Sequence, residues 1–326
     1  MLNRRHVLIA AATATVAGTS IGQGRYPSRP IRIIVPAAPA SAVDITARTV
    51  AEQMRKISGQ PVHVENKPGA SGLLGVQEVL RSAPDGYTLL AGNVNSNALL
   101  PALQPGKVKG DLRKLLIPVT MMSDAPALLL SAKVNFAPET VKQAIEYARA
   151  RPGKLFYVSS GIGTHGHVSM LMLSKIAGLD LTHVPVVSNA QAMSVMNSGE
   201  VQLGFATLTT ILPMVLDGRF KPLAITARQR VPALPDTPTF AEAGYPAVST
   251  GVWQGLFLPA GVPEETVQAV FRLASDALAD SQVKASFDRA QLQHWASNSP
   301  QEFAAFINEE IRKYSEIAKE NNLPIE

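Results

Sequence analysis

The sequence predicts two α/β domains, each a sheet flanked by helices, on three observations. Apolar runs of strand length alternate with segments of helical periodicity from residue 25 onward. That alternation breaks off and restarts at Pro138. A proline-rich stretch, Arg230–Pro246, has neither period and reads as a crossing between the two units. With 326 residues, 46% of them hydrophobic and 17% charged, the chain has material for two ordinary cores.

The elements follow in order. Ile31–Val35 is a continuous apolar run suited to a strand covered on both faces. Val43, Ala47, Val50, Met54 and Ile57 recur at steps of four and three, an amphipathic helix that Gly59 ends. Pro61–Val64 is the next strand, and Leu73–Ala83 the next helix. Pro84-Asp85-Gly86 then turns the chain into the strand Tyr87–Ala91, with Gly86 supplying a positive φ.

The pattern resumes after Pro138. Val141, Ala144, Ile145 and Ala148 line a helix; Leu155–Val158 is a strand and Val168–Ala177 a helix. Leu181–Val184, Ala190–Met196, Val201–Ala206, Leu208–Leu216 and Pro222–Thr226 continue the alternation. Such βα runs predict mostly parallel sheets with right-handed connections. Beyond the crossing come a strand, Trp253–Pro259, and helices Glu264–Ala279 and Gln301–Asn321. Ser299 caps the last of these, with Pro300 at its first position and Glu302 in its first turn. Spacing alone does not say which domain these last elements join.

The N-terminus reads as an export signal over residues 1–24. Arg4-Arg5 precede the apolar run Val7–Ala17, and small residues follow to Gly24. The run is shorter than the ~20 residues a membrane span needs. Asn3-Arg4-Arg5-His6-Val7-Leu8 also resembles a twin-arginine motif, so either ordinary secretion or the twin-arginine route fits. The expectation is a cleaved, periplasmic protein. With no cysteine, neither a disulfide nor a lipid-anchored cysteine is available. Of the formal charge of +5, Arg4 and Arg5 supply two, leaving +3 beyond residue 24. No basic run interleaves with aromatics, which argues against nucleic acid.

Three loops at strand-to-helix junctions carry the chemistry. The first, Pro36–Asp44, offers Ala40 and Ser41 just before a helix, with Asp44 near its start. Loop amides, the Ser41 hydroxyl and the helix dipole suit a carboxylate. Asp44 would repel such an anion, so its expected role is to stiffen the loop, the plainest form being a helix N-cap. The second loop, Asn66–Gly72, includes Gly69 and Ser71, and its glycines leave backbone N–H groups open to an anion.

The third is Ser159-Ser160-Gly161-Ile162-Gly163-Thr164-His165-Gly166-His167. Gly161, Gly163 and Gly166 satisfy G-x-G-x-x-G, but the acidic residue a ribose needs is missing from the end of the next strand; Asp180 precedes that strand. A dinucleotide-binding oxidoreductase is therefore the disfavoured alternative, and no cofactor is expected. His165 and His167, one residue apart without cysteine or carboxylate at ligand spacing, do not make a metal site. There is no G-x-S-x-G elbow and no acid–base pair, so no enzyme is expected. Trp253 and Phe257 read as core, as does the Met193/Met196 pair.

These residues resemble a known family. Tyr26-Pro27-Ser28-Arg29-Pro30-Ile31, Val64-Glu65-Asn66-Lys67-Pro68-Gly69-Ala70 and Ala83-Pro84-Asp85-Gly86-Tyr87-Thr88 are similar to the Bug-type extracytoplasmic solute receptors of tripartite tricarboxylate transporters. So are Gly161 with Gly163-Thr164 and His167, Leu234-Pro235-Asp236-Thr237-Pro238-Thr239, and Gly255-Leu256-Phe257 with Pro259-Ala260-Gly261. The resemblance runs from about Tyr26 to the C-terminus. It implies a periplasmic-binding-protein type II-like fold, with two α/β lobes joined by a hinge and closing on a small carboxylate in the cleft between them. It implies that the C-terminal helices rejoin the first lobe, giving 25–125 plus 229–326 as lobe 1 and 126–228 as lobe 2. The implied partners are transporter membrane subunits, or alternatively a membrane sensor, with the receptor itself a monomer.

The chain departs from the family pattern at several points. Ala40-Ser41 stands where the resemblance leads one to expect Gly-Gly, and Ser71 where it leads one to expect glycine. Val186-Val187-Ser188 replaces Tyr-Lys-Gly, and Ala206 follows Phe205 where the family commonly has aspartate. The expected ligand contacts are Ala40, Ser41, Asp44, Asn66, Gly69, Ser71, Asn93 and Asn95 on lobe 1. On lobe 2 they are Ser160, Gly163, Thr164, His165, Ala206 and Thr207. The lost lysine and aspartate predict a ligand with one carboxylate at the loop amides and an apolar or aromatic remainder.

Overall fold

The computed structural model describes residues 26–186, 188–248 and 250–320. The expected export signal, Val187 and the expected helix end at Asn321 lie outside the described residues. The chain opens with β1 (Ile31–Val35), α1 (Ala42–Ser58), β2 (Val62–Asn66), α2 (Leu73–Leu80) and β3 (Thr88–Asn93). Two short helices, α3 (Leu100–Leu103) and α4 (Leu112–Leu115), lead to the consecutive strands β4 (Leu116–Ala125) and β5 (Ala127–Ala132). Then come α5 (Val141–Arg149), β6 (Phe156–Ser159), α6 (His165–Ala177), β7 (Thr182–Pro185), α7 (Asn189–Asn197), β8 (Leu203–Thr207), α8 (Leu208–Leu216) and β9 (Phe220–Ile225). The chain closes with β10 (Val252–Pro259), α9 (Glu264–Ala279), α10 (Ser281–Arg289), β11 (Gln293–His294) and α11 (Pro300–Glu320).

Two sheets result. One has six strands in the order β11-β4-β10-β3-β1-β2, the other five in the order β7-β6-β8-β5-β9. The chain passes from the first sheet to the second at Pro126, between β4 and β5, and returns through residues 226–251. Of the C-terminal helices, α9 packs on α1 and β4, and α11 packs on β4.

The sheets are mixed, which corrects the expectation of mostly parallel ones. Only β1–β2, β1–β3, β6–β7 and β6–β8 pair in parallel. The reason is the double crossing. Strand β10 re-enters between β3 and β4 running against both, while β5, arriving without a crossover helix, runs against β8 and β9. Both intruding strands are buried along their whole length, so they lack the in–out alternation that usually marks antiparallel strands.

Local signals are realised where they were strong. Gly59 ends α1 in the left-handed conformation, and its N–H bonds the Arg55 carbonyl. Gly86 has φ 86°, and the Tyr87 N–H donates to Asp85 Oδ1 at 3.0 Å, closing the turn into β3. At α11 the Ser299 hydroxyl accepts the Glu302 N–H at 3.1 Å, capping the helix, and the Glu302 carboxylate reaches back to accept the Asn298 N–H at 2.9 Å. Trp253 and Phe257 are core residues, each 1% exposed.

The second sheet sets up the site. β6, β7 and β8 are mutually parallel or share parallel neighbours, and each feeds directly into a helix: α6, α7 and α8. Three helix N-termini therefore gather at the carboxyl edge of one sheet, the place where α/β folds leave a crevice.

Candidate functional site

A cavity of about 220 Å³ lies at this edge. That is room for roughly seven waters at liquid density, or one small organic acid. Its polar wall comes from the starts of the three helices: Ser160, Thr164, His165 and Gly166 at α6, Asn189 at α7, and Thr207 with Thr210 at α8. The first lobe contributes Asn95 and Val252. The rest of the lining is largely apolar, with Met193, Phe205, Ala206, Ile211 and Met214. Among the described residues no lysine, arginine, aspartate or glutamate lines it.

An anion can still be held there, because helix starts present unpaired N–H groups and a partial positive charge. Thr164 and Thr207 occupy the N-cap positions of α6 and α8, yet neither side chain caps its helix. The Thr164 hydroxyl instead donates to the Gly161 carbonyl at 2.7 Å, shaping the loop. By contrast the Ser188 hydroxyl does cap α7, accepting the Gln191 N–H at 3.2 Å. Beyond the first amide of each, which a neighbouring oxygen accepts, the first-turn amides of α6 and α8 are therefore the better anion donors.

Both of these helices are tied to the segments linking the lobes. The Leu208 N–H that opens α8 donates to the Pro126 carbonyl at 2.8 Å. On α6, His165 Nε2 lies 3.3 Å from the Thr250 carbonyl, and the Ser169 and Thr250 hydroxyls are 2.9 Å apart. The two crossings bond each other through Thr226, whose N–H reaches the Ala127 carbonyl at 2.9 Å. Across the cleft, the His165 N–H donates to Asn95 Oδ1 at 2.9 Å. Gly163, at φ 76°, sits against Leu103 of the first lobe; an added Cβ would lie 3.3 Å from its Cδ1.

His165 is 7% exposed, and burial lowers its pKa to about 4. It is a neutral donor or acceptor at pH 7, not a cation for the ligand. His167 is likewise lowered to about 4, by burial first and then by His183, against which it stacks at 4.3 Å. Among the described residues no cluster of three or more histidines, cysteines and carboxylates suits a metal.

The residues expected to bind ligand separate into groups. Asn95, Ser160, Thr164, His165, Ala206 and Thr207 come together on the cavity. Gly163 packs at the lobe boundary beside it. Ala40, Ser41, Asp44, Asn66, Gly69, Ser71 and Asn93 do not line it.

Most of that last group supports the first lobe's own loops. Asp44 is buried at the third position of α1, so Ser41, not Asp44, is the N-cap. Helical backbone at Asp44 places its carboxylate where it reaches back to the Ala40 N–H at 2.9 Å. Arg48 Nε donates to Asp44 at 3.0 Å, and Asn66 Nδ2 at 2.9 Å. Burial pushes the Asp44 pKa up, but these hydrogen bonds and the Arg48 charge outweigh it and hold the carboxyl below its ordinary value. Asn66 also donates to the Ala37 carbonyl at 3.1 Å, joining the first two loops. The Ser41 hydroxyl is spent on the Ala38 carbonyl at 2.7 Å. Asn93 Oδ1 accepts the Asn95 and Ser96 N–H groups at 2.9 and 3.2 Å, fixing the turn that presents Asn95. Gly69, Ala70, Ser71 and Gly72 all have positive φ, so Ser71 holds a left-handed position that favours glycine.

Sequence reasoning missed the apolar wall. Met193 was expected in the core with Met196; Met196 is buried, and Met193, partly buried against the same core, also lines the cavity. The two are three residues apart on α7, close enough in angle to share an apolar stripe, and only the position of β8 decides which one the core covers. Met214, Ile211 and Asn189 had no signal beyond lying on α7 and α8.

Residues 46–323 match the family described as Tripartite tricarboxylate transporter family receptor. A UPF0065 protein of Bordetella pertussis is 31% identical over 322 residues, covering 97% of this chain and 96% of the relative. BugT of the same organism is 29% identical, covering 95% of this chain and 94% of its own. Among solved structures, a periplasmic transporter superposes with TM-score 0.84 at 34% identity, covering 92% of this chain and 100% of its own. The Rhodopseudomonas palustris protein Rpa4515, solved with adipate, gives 0.83 at 28% identity over 91% and 99% of the two chains. MatC from Rhodopseudomonas palustris, solved with bound malate, gives 0.79 at 30% identity over 90% and 99%.

Proposed function

The chain belongs to the tripartite tricarboxylate transporter receptor family, as a solute-binding protein and not an enzyme, and on that premise we propose that it captures a small carboxylate with one anionic end and an apolar or aromatic body. The observation that carries this reading is the cavity's make-up. It combines helix starts that their N-cap side chains leave uncapped with methionines and Phe205, and no charged side chain is among its described lining residues. A carboxylate gains from the α6 and α8 amides, about 0.3–1 kcal/mol per helix end and up to ~2 when partly buried. A second carboxylate reaching Met193, Ile211 or Met214 would lose its hydration without a partner. Adipate and malate, the acids held by the two structural neighbours, define the dicarboxylate class against which this selectivity is set.

Capture works by lobe closure. The ligand anchors at the start of α6 and α8, on the lobe of residues 126–228. The lobe of residues 25–125 and 229–326 then brings Asn95 and Val252 over it, the two crossings absorbing the rotation. Closed-state contacts supply the differential binding that shifts the equilibrium. The loaded receptor, a periplasmic monomer exported by the signal in residues 1–24, delivers its acid to the membrane subunits of a tripartite transporter.

The test is a calorimetric and thermal-shift panel on the mature protein. It sets aromatic and branched monocarboxylates against short dicarboxylates and amino acids. A monocarboxylate at 100 times its dissociation constant adds ~2.7 kcal/mol of stability. Dicarboxylates bound and aromatic acids ignored would refute the apolar-wall reading while leaving the family assignment intact.

A further inference from the structure

Beside the cavity lies a strut of side chains that meets it only at Ser159. The Gly163 N–H donates to Nδ1 of His167 at 3.1 Å, reaching from the loop to the first turn of α6. The His167 ring stacks on His183 of β7 at 4.3 Å, and His183 stacks on Tyr157 of β6 at 4.7 Å. His183 Nε2 lies 2.8 Å from the Ser159 hydroxyl, which donates to the Gly161 carbonyl at 3.0 Å. Both ends of the Gly161–Gly163 turn are thus held by one column of stacked rings, with Tyr157 and His167 buried and His183 partly so. Gly161 and Gly163 have φ of 128° and 76°, a path that resists relaxation only while both ends are held.

Resting on the carboxylate reading above, we infer that His167 is a positioning residue for the binding site. Its Nδ1 accepts the Gly163 amide and fixes the turn that carries Ser160 and Thr164 into the cavity. The bond requires Nδ1 to be unprotonated, so the neutral ring is the working form, and any proton it carries sits on Nε2. His183 and Tyr157 are the titratable groups packed against it, and burial keeps the pair neutral. Of the two histidines that the glycine loop presents, His165 lines the cavity and His167 holds the loop's shape.

Two substitutions separate positioning from packing. In His167→Asn the side-chain carbonyl offers an acceptor close to the place of Nδ1; in His167→Leu the volume stays and the acceptor is lost. The best acid from the panel is titrated into each variant, and exchange of the Gly163 amide is followed by NMR without ligand. The expected result is affinity within about threefold of wild type for H167N and a loss of roughly tenfold for H167L. Gly163 should stay protected in wild type and H167N and exchange faster in H167L. Equal affinity in the two variants, or an unchanged Gly163 exchange rate in H167L, overturns the positioning role. Failure of wild type to bind any carboxylate overturns the carboxylate reading and the affinity claim with it, while Gly163 exchange still decides the strut.

Discussion

Asn95 Oδ1 accepts the His165 backbone N–H across the cleft at 2.9 Å. One lobe thereby supplies a neutral oxygen to the first amide of α6 on the other, the kind of donor an anionic ligand would seek. Asn93 makes the contact possible by bonding the Asn95 and Ser96 N–H groups and so fixing the turn. The bond also reports closure, since separating the lobes breaks it.

Asn95→Ala removes this latch without touching either core. The affinity for a carboxylate should fall three- to tenfold, from a lost hydrogen bond of about 0.5–1.5 kcal/mol. The unfolding midpoint should move by no more than a degree or two. Calorimetry with small-angle scattering checks this, the expected sign being a larger radius of gyration in the unliganded variant. Unchanged affinity would remove Asn95 from closure.

Thr164→Leu acts on the ligand side of the same helix. It deletes the hydroxyl that bonds the Gly161 carbonyl at 2.7 Å and fills the space before the α6 amides. Binding should drop at least tenfold while the variant still unfolds in one cooperative transition. Retained affinity would move the anion site away from α6.

Ala40→Gly should stabilise. Ala40 has φ 60°, a left-handed backbone that costs an L side chain about 1–2 kcal/mol. Glycine removes that strain and gives back roughly 0.5–1 kcal/mol as unfolded-state entropy, so a net gain of up to ~1 kcal/mol is expected. Because Ala40 does not line the cavity, ligand affinity should hold. Denaturant midpoints for the two proteins decide the first point and calorimetry the second.

Ala40 lies in a strand-to-helix loop, the kind of feature the sequence made legible. Strand-to-helix loops, the Asp85-Gly86 turn and the Ser299 cap were readable because each depends on residues adjacent in the chain. The orientation of β5 and β10 was not, since a fully buried strand shows the same apolar run in either direction. Residues 94–137 gave no periodic signal although they hold β4 and β5: the run Leu116–Ala132 is mostly apolar, and its polar residues, Thr120, Ser123, Asp124 and Ser131, fall at neither a helical nor a strand period. The helix starts of the second lobe could be placed from sequence. Which side chain of α7 or α8 faces the cleft depends on sheet order, which no local pattern encodes.

Asp124 should weaken the fold at neutral pH. Burial first, then the nearby Glu310, raises its pKa to about 6, and its Oδ1 is enclosed without a hydrogen-bond partner. The folded carboxyl binds its proton below about pH 6 and the unfolded one only near 3.8. Its penalty is therefore full above pH 6 and fades in acid, opposite in sign to His165 and His167. Those two, at about 4 when folded against 6.5 unfolded, lose stability as pH falls from 6.5 toward 4. Asp124→Asn should gain on the order of 1–3 kcal/mol at pH 7.5 and much less at pH 4.5. Urea melts at the two pH values check the difference, and an equal gain at both would rule out ionisation as the cause.

Met214→Arg tests the apolar wall itself. Met214 lies on α8 and lines the cavity, and no cation is among the described residues that line it. A guanidinium at this position gives a second carboxylate a bidentate partner, which the present wall lacks. It also strands a charge against an apolar ligand body, a cost that falls only on monocarboxylates. The expected outcome is a reversal of preference: aromatic or branched acids weakened at least tenfold, and a short dicarboxylate gaining by a similar factor. Competition calorimetry with one acid of each class measures both changes in one protein. If both classes weaken together, the arginine has merely filled the cavity; if neither changes, Met214 does not face the ligand.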